Sequence, residues 1–482
     1  MSEAPLSWHT IAPATPEIYL TVALCAILLV EAFCGDRRRG LADSLTLIAL
    51  IVGAVVTAIW APVAVRTTLF HGLYVADSLG YALKLAGFGI VAFTLVYSRA
   101  YLDQRDILRG EYNVLCLTAL LGIFVLISAN NLITVYVGVE LLALSVYALI
   151  AFDRESGIAA EAAMKYFVLS AIASGALVYG MSIIYGMTGS LDLDVIATTI
   201  GAGRASLGVI LGLVFVVVAV AFKLGAVPFH MWLPDVYQGA PTSVTLFIST
   251  VPQLAYFSLA FRLLTHGLVG VTAEWSQMLV PLAVLTLIVG NFVAIAQSNL
   301  KRMLAYSTIA NVGFILLGFI TGTPHGYSAA LYYTLVYILV VLGSFGVILL
   351  ASHHGFEADT LDDYKGLYAR DPFLAVILMA LMFSTAGVPP FIGFWAKLRI
   401  IQELWATQHG ILVVIAAAAS VVGAFYYLRI VKLMYFDAPA AETPRPHRNS
   451  GARAALALNA SAILGLGVVP GPLLDLCARI IH

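Results

Sequence analysis

Glu140, Lys165, Lys223, His230 and Lys397 fall inside or at the ends of long apolar runs, together with Lys84. A charge in such a place is expensive and serves pairing, ion passage or proton transfer. Glu140, in NNLITVYVGVELLALSVYALI, lies near the centre of its run, too deep for a short carboxylate to reach water. Lys165 stands about a turn into its run, so it can reach the cytoplasmic surface or turn inward to pair with Glu140. Lys223 ends ILGLVFVVVAVAFK and is followed by Gly225 and Pro228. Proline ends the helix there and frees backbone carbonyls that a cation or water can satisfy. His230 follows the break, and its neutral imidazole can both give and take a proton or cap loose carbonyls. Asp235 is read as a loop anchor. Lys397, in AGVPPFIGFWAKLRI, lies beyond a second Gly/Pro break, where it can act or snorkel beside Arg399.

The elements that hold these residues must be membrane helices. The 482 residues are 61% hydrophobic and 11% charged, more apolar surface than a soluble core can hide. Spans of about 20 apolar residues are expected at 16–33, 41–61, 78–98, 113–128, 131–152, 162–187, 205–224, 242–264, 276–297, 303–320, 326–351, 373–398, 409–436 and 454–470. That predicts an all-α polytopic membrane protein with about fourteen transmembrane helices. The first run is read as a true span, because no Lys or Arg precedes Pro16 and no small-residue cleavage site stands out. The four cysteines form no CxxC pair, and no GxGxxG or GxxxxGK[ST] appears, so the chain itself offers no metal, cluster or nucleotide framework. Nucleic acid is likewise not an expected partner. The Tyr, Phe and Trp residues gather near span ends as interfacial anchors, and the acids of 353–371 (Glu357, Asp359, Asp362, Asp363, Asp371) are expected to form a solvated face.

Loops after odd-numbered spans hold sixteen Lys and Arg against five on the other side, which places both termini outside. GAVPFHMW from Gly225 and GVPPFIGFW from Gly387 mark a repeat of five spans. Five is odd, so the second copy enters from the other side, and its broken helix and the first copy's mark an ion site near the midplane. The expected organisation is an N-terminal three-helix segment (1–111), a first five-helix repeat (112–266), a second, inverted repeat (267–437), and a loop with a C-terminal helix (438–482).

FKLGAVPFHMWLPDVYQGAPTSV, NLKRMLAYSTIANVGFILLG and AGVPPFIGFWAK resemble, in order, three signatures of the antiporter-like subunit N of proton-pumping NADH:quinone oxidoreductase, respiratory complex I. The similarity covers essentially the whole chain. Subunit L is expected to continue well beyond the position of Pro470, and subunit M usually has Glu where Lys397 stands, so both comparisons favour subunit N. The resemblance implies a bacterial inner-membrane subunit with no redox centre of its own. NADH, FMN, iron–sulfur clusters and quinone would then sit in partner subunits, and other membrane-arm subunits, antiporter-like ones included, would flank it in the bilayer. By motif it assigns Glu140, Lys165, Lys223 and Lys397 to the proton relay. Gln253 stands where the family generally has Lys, and Asn311 where it often has His. Neither titrates near neutral pH, so the central relay is expected to use water held by Gln253, Tyr256 and Asn311.

Moving one charge against a membrane potential costs about 2.3 kcal/mol per 100 mV, the size of the change in proton affinity that a nearby charge or burial imposes on a side chain. Glu140 is therefore expected to hold a first-bundle lysine protonated until the pair loosens and the proton moves toward Lys397. Two other readings remain open on the sequence: a purely structural membrane-arm subunit, and an Mrp-type cation/proton antiporter subunit. Co-purifying flavin and iron–sulfur absorbance separates the third reading from the first two.

Overall fold

The computed structural model describes residues 11–34, 39–61, 66–204, 206–353, 355–439 and 449–481. Arg37, Arg38, Arg445 and Arg448 of the charge count lie outside them. Among the described residues thirteen helices are long and apolar enough to cross a membrane. Besides the short helices Leu193–Thr199 and Leu367–Arg370, the helices are α1 (Thr15–Cys34), α2 (Arg39–Trp60), α3 (Ser78–Gln104), α4 (Gly110–Ile127), α5 (Leu132–Ile150), α6 (Gly157–Thr188), α7 (Leu207–Leu224), α8 (Trp232–Gly239) and α9 (Thr242–Ala260). There follow α10 (Thr272–Ile295), α11 (Leu300–Ile320), α12 (Pro324–Ala351), α13 (Pro372–Ala386), α14 (Ile392–Ala406), α15 (Gly410–Phe436), α16 (Ser450–Val468) and α17 (Gly471–Ile481). The twelfth expected crossing, 373–398, is the broken pair α13 and α14, neither of which is long enough alone.

Side-chain caps set many of the helix starts. Asp77, Asn131, Ser156, Ser206, Asn299 and Asp371 each accept a hydrogen bond from a first-turn N–H, a group that would otherwise lack a partner. A two-stranded antiparallel hairpin, Thr67–Leu69 with Tyr74–Ala76, joins α2 to α3. The hydropathy pattern gave no sign of it, because three-residue strands carry no measurable alternation.

The repeat is visible in packing. The α4–α5 and α10–α11 pairs approach through glycine: a Cβ on Gly122 would meet Leu142 N at 2.6 Å, and one on Gly290 would meet Ala310 N at 2.6 Å. The chain entering α5 bridges Asn131 to Asp192, and the chain entering α11 bridges Asn299 to Thr360 in the same way. Helix α12, buried along almost its full length, packs on α9 and α11 and on α13, α14, α16 and α17, so it joins the two repeats to the C-terminal helices. Helix α3 packs on α9, α12 and α16.

Candidate functional site: a broken-helix polar axis

Both breaks are built alike. Gly225 (φ 82°) and Gly387 (φ 90°) end α7 and α13 in the left-handed region, which glycine enters without a Cβ penalty. Gly225 N donates to Phe222 O at 3.0 Å and Ala226 N to Ala221 O at 2.8 Å; Gly387 N donates to Ser384 O at 3.0 Å and Val388 N to Phe383 O at 3.0 Å. A cis peptide precedes Pro228 in the first break and Pro390 in the second. Side chains meet other freed groups: Trp232 Nε1 donates to Phe222 O (3.0 Å), and Val227 N donates to Thr286 Oγ1 of α10 (2.9 Å).

The breaks place two buried lysines. Lys223, 2% exposed on the last turn of α7, donates to Ser170 Oγ of α6 at 2.9 Å and lies within electrostatic reach of Glu140. Glu140 is half-buried, and its Oε1 has no protein hydrogen-bond partner. Lys397, 9% exposed on α14, reaches back to donate to Ala386 O (3.1 Å), a carbonyl at the C-terminal end of α13 where the helix dipole favours a cation. Its ammonium also lies 5.5 Å from the centre of the Phe314 ring.

Of the two placements open to it, Lys165 takes the surface one. Its side chain is 46% exposed and bridges Glu161 (2.9 Å) and Asp235 (3.0 Å), not Glu140. The reason is the length of α6: capped at Ser156, it runs 32 residues, about 48 Å at 1.5 Å per residue, against a hydrocarbon core of about 30 Å. Its first turns therefore stand clear of the core, and Lys165 is on them. Asp235, which also accepts from Arg302 (2.8 Å), is an anchor as expected, but on the short helix α8 rather than in a loop. Burial would raise its carboxyl, but Arg302 and Lys165 hold it below the usual carboxylate range. His230 is half-buried near Tyr306, with Nδ1 lacking a partner.

Between the lysines runs a chain of hydroxyls. Ser170 neighbours Tyr147, whose ring packs on Tyr166. The Tyr166 and Tyr256 hydroxyls stand 3.5 Å apart. Tyr237 approaches both Tyr256 and Thr308, and Tyr337 donates to Thr308 Oγ1 at 2.8 Å. Ser307 Oγ and Tyr427 hydroxyl are 2.6 Å apart, and Tyr426 donates to Tyr427 at 3.1 Å and to Asn291 Oδ1 at 3.2 Å. Asn311 donates to Ser307 O (2.7 Å) and accepts from Tyr333 hydroxyl (2.7 Å). A cavity of about 10 Å³, room for about one water, then runs from Asn311, Tyr333 and Tyr337 to Lys397. Gln253 is 4% exposed and its Oε1 is unpartnered, whereas the Asn311 amide is bonded on both sides.

Sequence reading missed Ser170, Tyr147, Tyr166, Tyr237, Ser307, Thr308, Tyr333, Tyr337 and Tyr427, and it misassigned the tyrosines among them as interfacial anchors. They are buried except Tyr147, which is half-buried. The available signal was position: the Tyr332–Tyr333 and Tyr426–Tyr427 doublets sit well inside apolar runs, and Tyr333 and Tyr337 are one turn apart on one face. The 353–371 acids also differ from a uniformly solvated face. Glu357 accepts from Tyr101 (3.0 Å), Arg105 and Thr242, and Asp371 binds Arg453 (2.6 and 3.0 Å). Lys84, left open by the sequence, is 1% exposed and pairs with Glu17 at 2.6 Å. Among the described residues no group of three or more His, Cys, Asp or Glu could hold a metal ion.

The geometry can be set beside known proteins. The family described as NADH:quinone oxidoreductase/Mrp antiporter, TM, matches residues 129–423, the stretch holding both breaks and the hydroxyl chain. A chain of the Mrp complex from Dietzia sp. DQ12-45-1b shares the fold, with a TM-score of 0.86 over 97% of each chain, at 20% identity. A chain of respiratory complex I from Thermus thermophilus with bound aureothin gives a TM-score of 0.83 at 32% identity, covering 96% of this chain and 99% of that one. These likenesses define an antiporter-like membrane protein with two inverted five-helix repeats. Two curated relatives are closer in sequence: one from Herminiimonas arsenicoxydans is 49% identical over 482 residues (97% of each chain), and one from Thiobacillus denitrificans 50% over 478 residues (99% of each). Both are NADH-quinone oxidoreductase subunit N. The chain belongs to the NADH-quinone oxidoreductase subunit N family.

Proposed function

We propose that this subunit carries protons across the membrane arm of a bacterial NADH:quinone oxidoreductase along the axis from Lys223 to Lys397. The observation that carries the reading is the pair of buried lysines at the two breaks, neither in a close ion pair among the described residues, with hydroxyls and amides filling the interval between them. Glu140 holds Lys223 protonated while their charges are near. When a neighbouring subunit changes that proximity, the proton leaves Lys223 through Ser170 and the tyrosines. It passes Asn311, and a water in the small cavity hands it to Lys397. Water beside the unpartnered Gln253 Oε1 supports the Tyr256 step. Lys165 and Asp235, at the surface, collect protons rather than relay them, and His230 serves the first break.

Redox chemistry on NADH, FMN, iron–sulfur clusters and quinone belongs to partner subunits in this reading, and this chain binds none of them. Other antiporter-like subunits flank it in the inner membrane. The segments 112–266 and 267–437 act as the two half-channels, flanked by 1–111 and 438–482, with both termini periplasmic. Family membership favours this over an Mrp-type subunit, since the Mrp likeness, at 20% identity, is one of fold alone.

The test is replacement of Glu140, Lys223 and Lys397 by Gln, singly and together, in the assembled complex, measuring protons pumped per quinone reduced. The expected result is a lowered ratio or blocked turnover with assembly intact. Normal pumping with all three replaced overturns the relay and leaves a structural role.

A further inference from the structure

Helices α3, α12, α16 and α17 enclose a cavity of about 360 Å³ away from the polar axis. Asn459 is the one polar residue in its lining; the rest is aliphatic or Phe93. Apolar cavities of this kind stay dry and take apolar guests. Along α3 the lining runs from Ala82 to Phe93, and along α12 from Leu331 to Leu342. Each is a rise of about 16 Å, half of the roughly 30 Å hydrocarbon core and thus the depth of one leaflet. Its shallow end faces the side of the membrane where α3 and α12 begin and α16 ends.

At that end α17 lies over the mouth. Leu473, Leu476 and Ile480 line the cavity from one face, while Asp475 and Arg479 are exposed. Arg399 of α14 and Cys477 of α17 both stand within electrostatic reach of Tyr332, next to the lining residue Leu331, which brings a second exposed cation to the same end. Among the described residues neither Arg399 nor Arg479 has an ion-pair partner. An apolar slot one leaflet deep with two guanidinium groups outside any described ion pair at its mouth, Arg479 Nε donating only to Asp475 O at 3.3 Å, matches an acyl chain below an anionic headgroup.

We infer that this slot binds one acyl chain of an anionic phospholipid, with its phosphate held by Arg479 and Arg399. The chain then fills the gap between the N-terminal segment and the C-terminal helices, which meet at this place across an open space.

Gly89 allows a clean test. It lines the cavity, and a Cβ built on it meets nothing within 4 Å, so Gly89→Leu occupies the slot without displacing protein. The assembled complex, delipidated and returned to nanodiscs of phosphatidylglycerol with brominated acyl chains, is imaged at high resolution. Bromine density is expected between Gly89 and Leu342 in the native complex and lost in Gly89→Leu. Native mass spectrometry should show phosphatidylglycerol retained over phosphatidylethanolamine, with the preference falling about fivefold for each arginine replaced by Gln. An empty slot, a quinone tail or a neighbouring subunit's side chain in that density, or bromine density persisting in Gly89→Leu, overturns the inference. Equal retention of the two lipids overturns the anionic assignment. If Gly89→Leu fails to assemble, the native bromine map alone decides.

Discussion

Asn311→Leu is the sharpest perturbation of the proposed axis, because leucine keeps the volume and removes only polarity. Asn311 is 5% exposed and lines the cavity that leads to Lys397. The substitution leaves Ser307 O with its helical partner but strands the Tyr333 hydroxyl, whose 2.7 Å bond to Asn311 Oδ1 is the one the structure gives it. Stranding one buried hydroxyl costs about 1–3 kcal/mol, too little to prevent assembly of a large membrane complex. If the same energy is lost from the proton's transfer step, that step slows about 5- to 150-fold. Proteoliposomes fed with NADH and quinone should therefore show lowered proton translocation, read by a pH-sensitive dye, with the complex intact on a native gel. Asn311→His provides the control, because imidazole also donates and accepts and titrates near neutral pH; it should pump at or above the native level. Tyr333→Phe removes the hydroxyl but spares the amide, and should fall between the two. Native pumping by an intact Asn311→Leu complex refutes the route through Asn311 to Lys397.

Lys165→Ala should leave pumping above half of the native level in the same assay, since its ammonium is at the surface and touches Glu161 and Asp235 rather than the axis. Arg262→Ala should lower the thermal stability of the isolated complex: Arg262 is 3% exposed and holds Asp77 through bonds of 2.5 and 2.8 Å, and removing one member of a buried pair typically costs about 3–5 kcal/mol. The Asp371–Arg453 pair, which ties the start of α13 to α16, should fail only in acid. Burial raises the Asp371 carboxyl, but Arg453 and the Leu374 N–H outweigh it and hold the group below its ordinary value of 3.8. Its stabilisation is thus full above that value and is lost as pH falls through the lower folded one; Asp371→Asn should flatten this part of an acid melt.

How much of this was legible in the sequence depended on whether a residue's type alone was costly in a membrane. Glu140, Lys223 and Lys397 were legible because ionisable groups are rare in apolar runs, and the breaks because Gly and Pro act on their own backbone. The twelfth crossing was expected as one run, yet Gly387 was already identified as its interruption. For Lys165 the sequence left the surface and inward placements both open, because a hydropathy window sees where oil begins, not where Ser156 starts the helix. The tyrosines were misread for a different reason. Their rings suit an interface and a core equally well, so only three-dimensional neighbours show that Tyr333 and Tyr427 face Asn311.

The two repeats share a break but use it unequally, and the difference bears on direction. Lys223 precedes its break, is held by a hydroxyl on another helix and feels a carboxylate on a third. Lys397 follows its break and is held by the carbonyl end of the helix just before it, with no carboxylate bonded to it among the described residues. Small movements of α5 or α6 therefore change the charge environment of Lys223, whereas Lys397 is bonded to the helix that the break joins to its own. In the proposed relay the first bundle is the adjustable station and the second a fixed one. A conformational signal from the rest of the complex then acts at Glu140 and Ser170, and a variant that locks α6 against α7 should stop translocation even with every relay side chain in place.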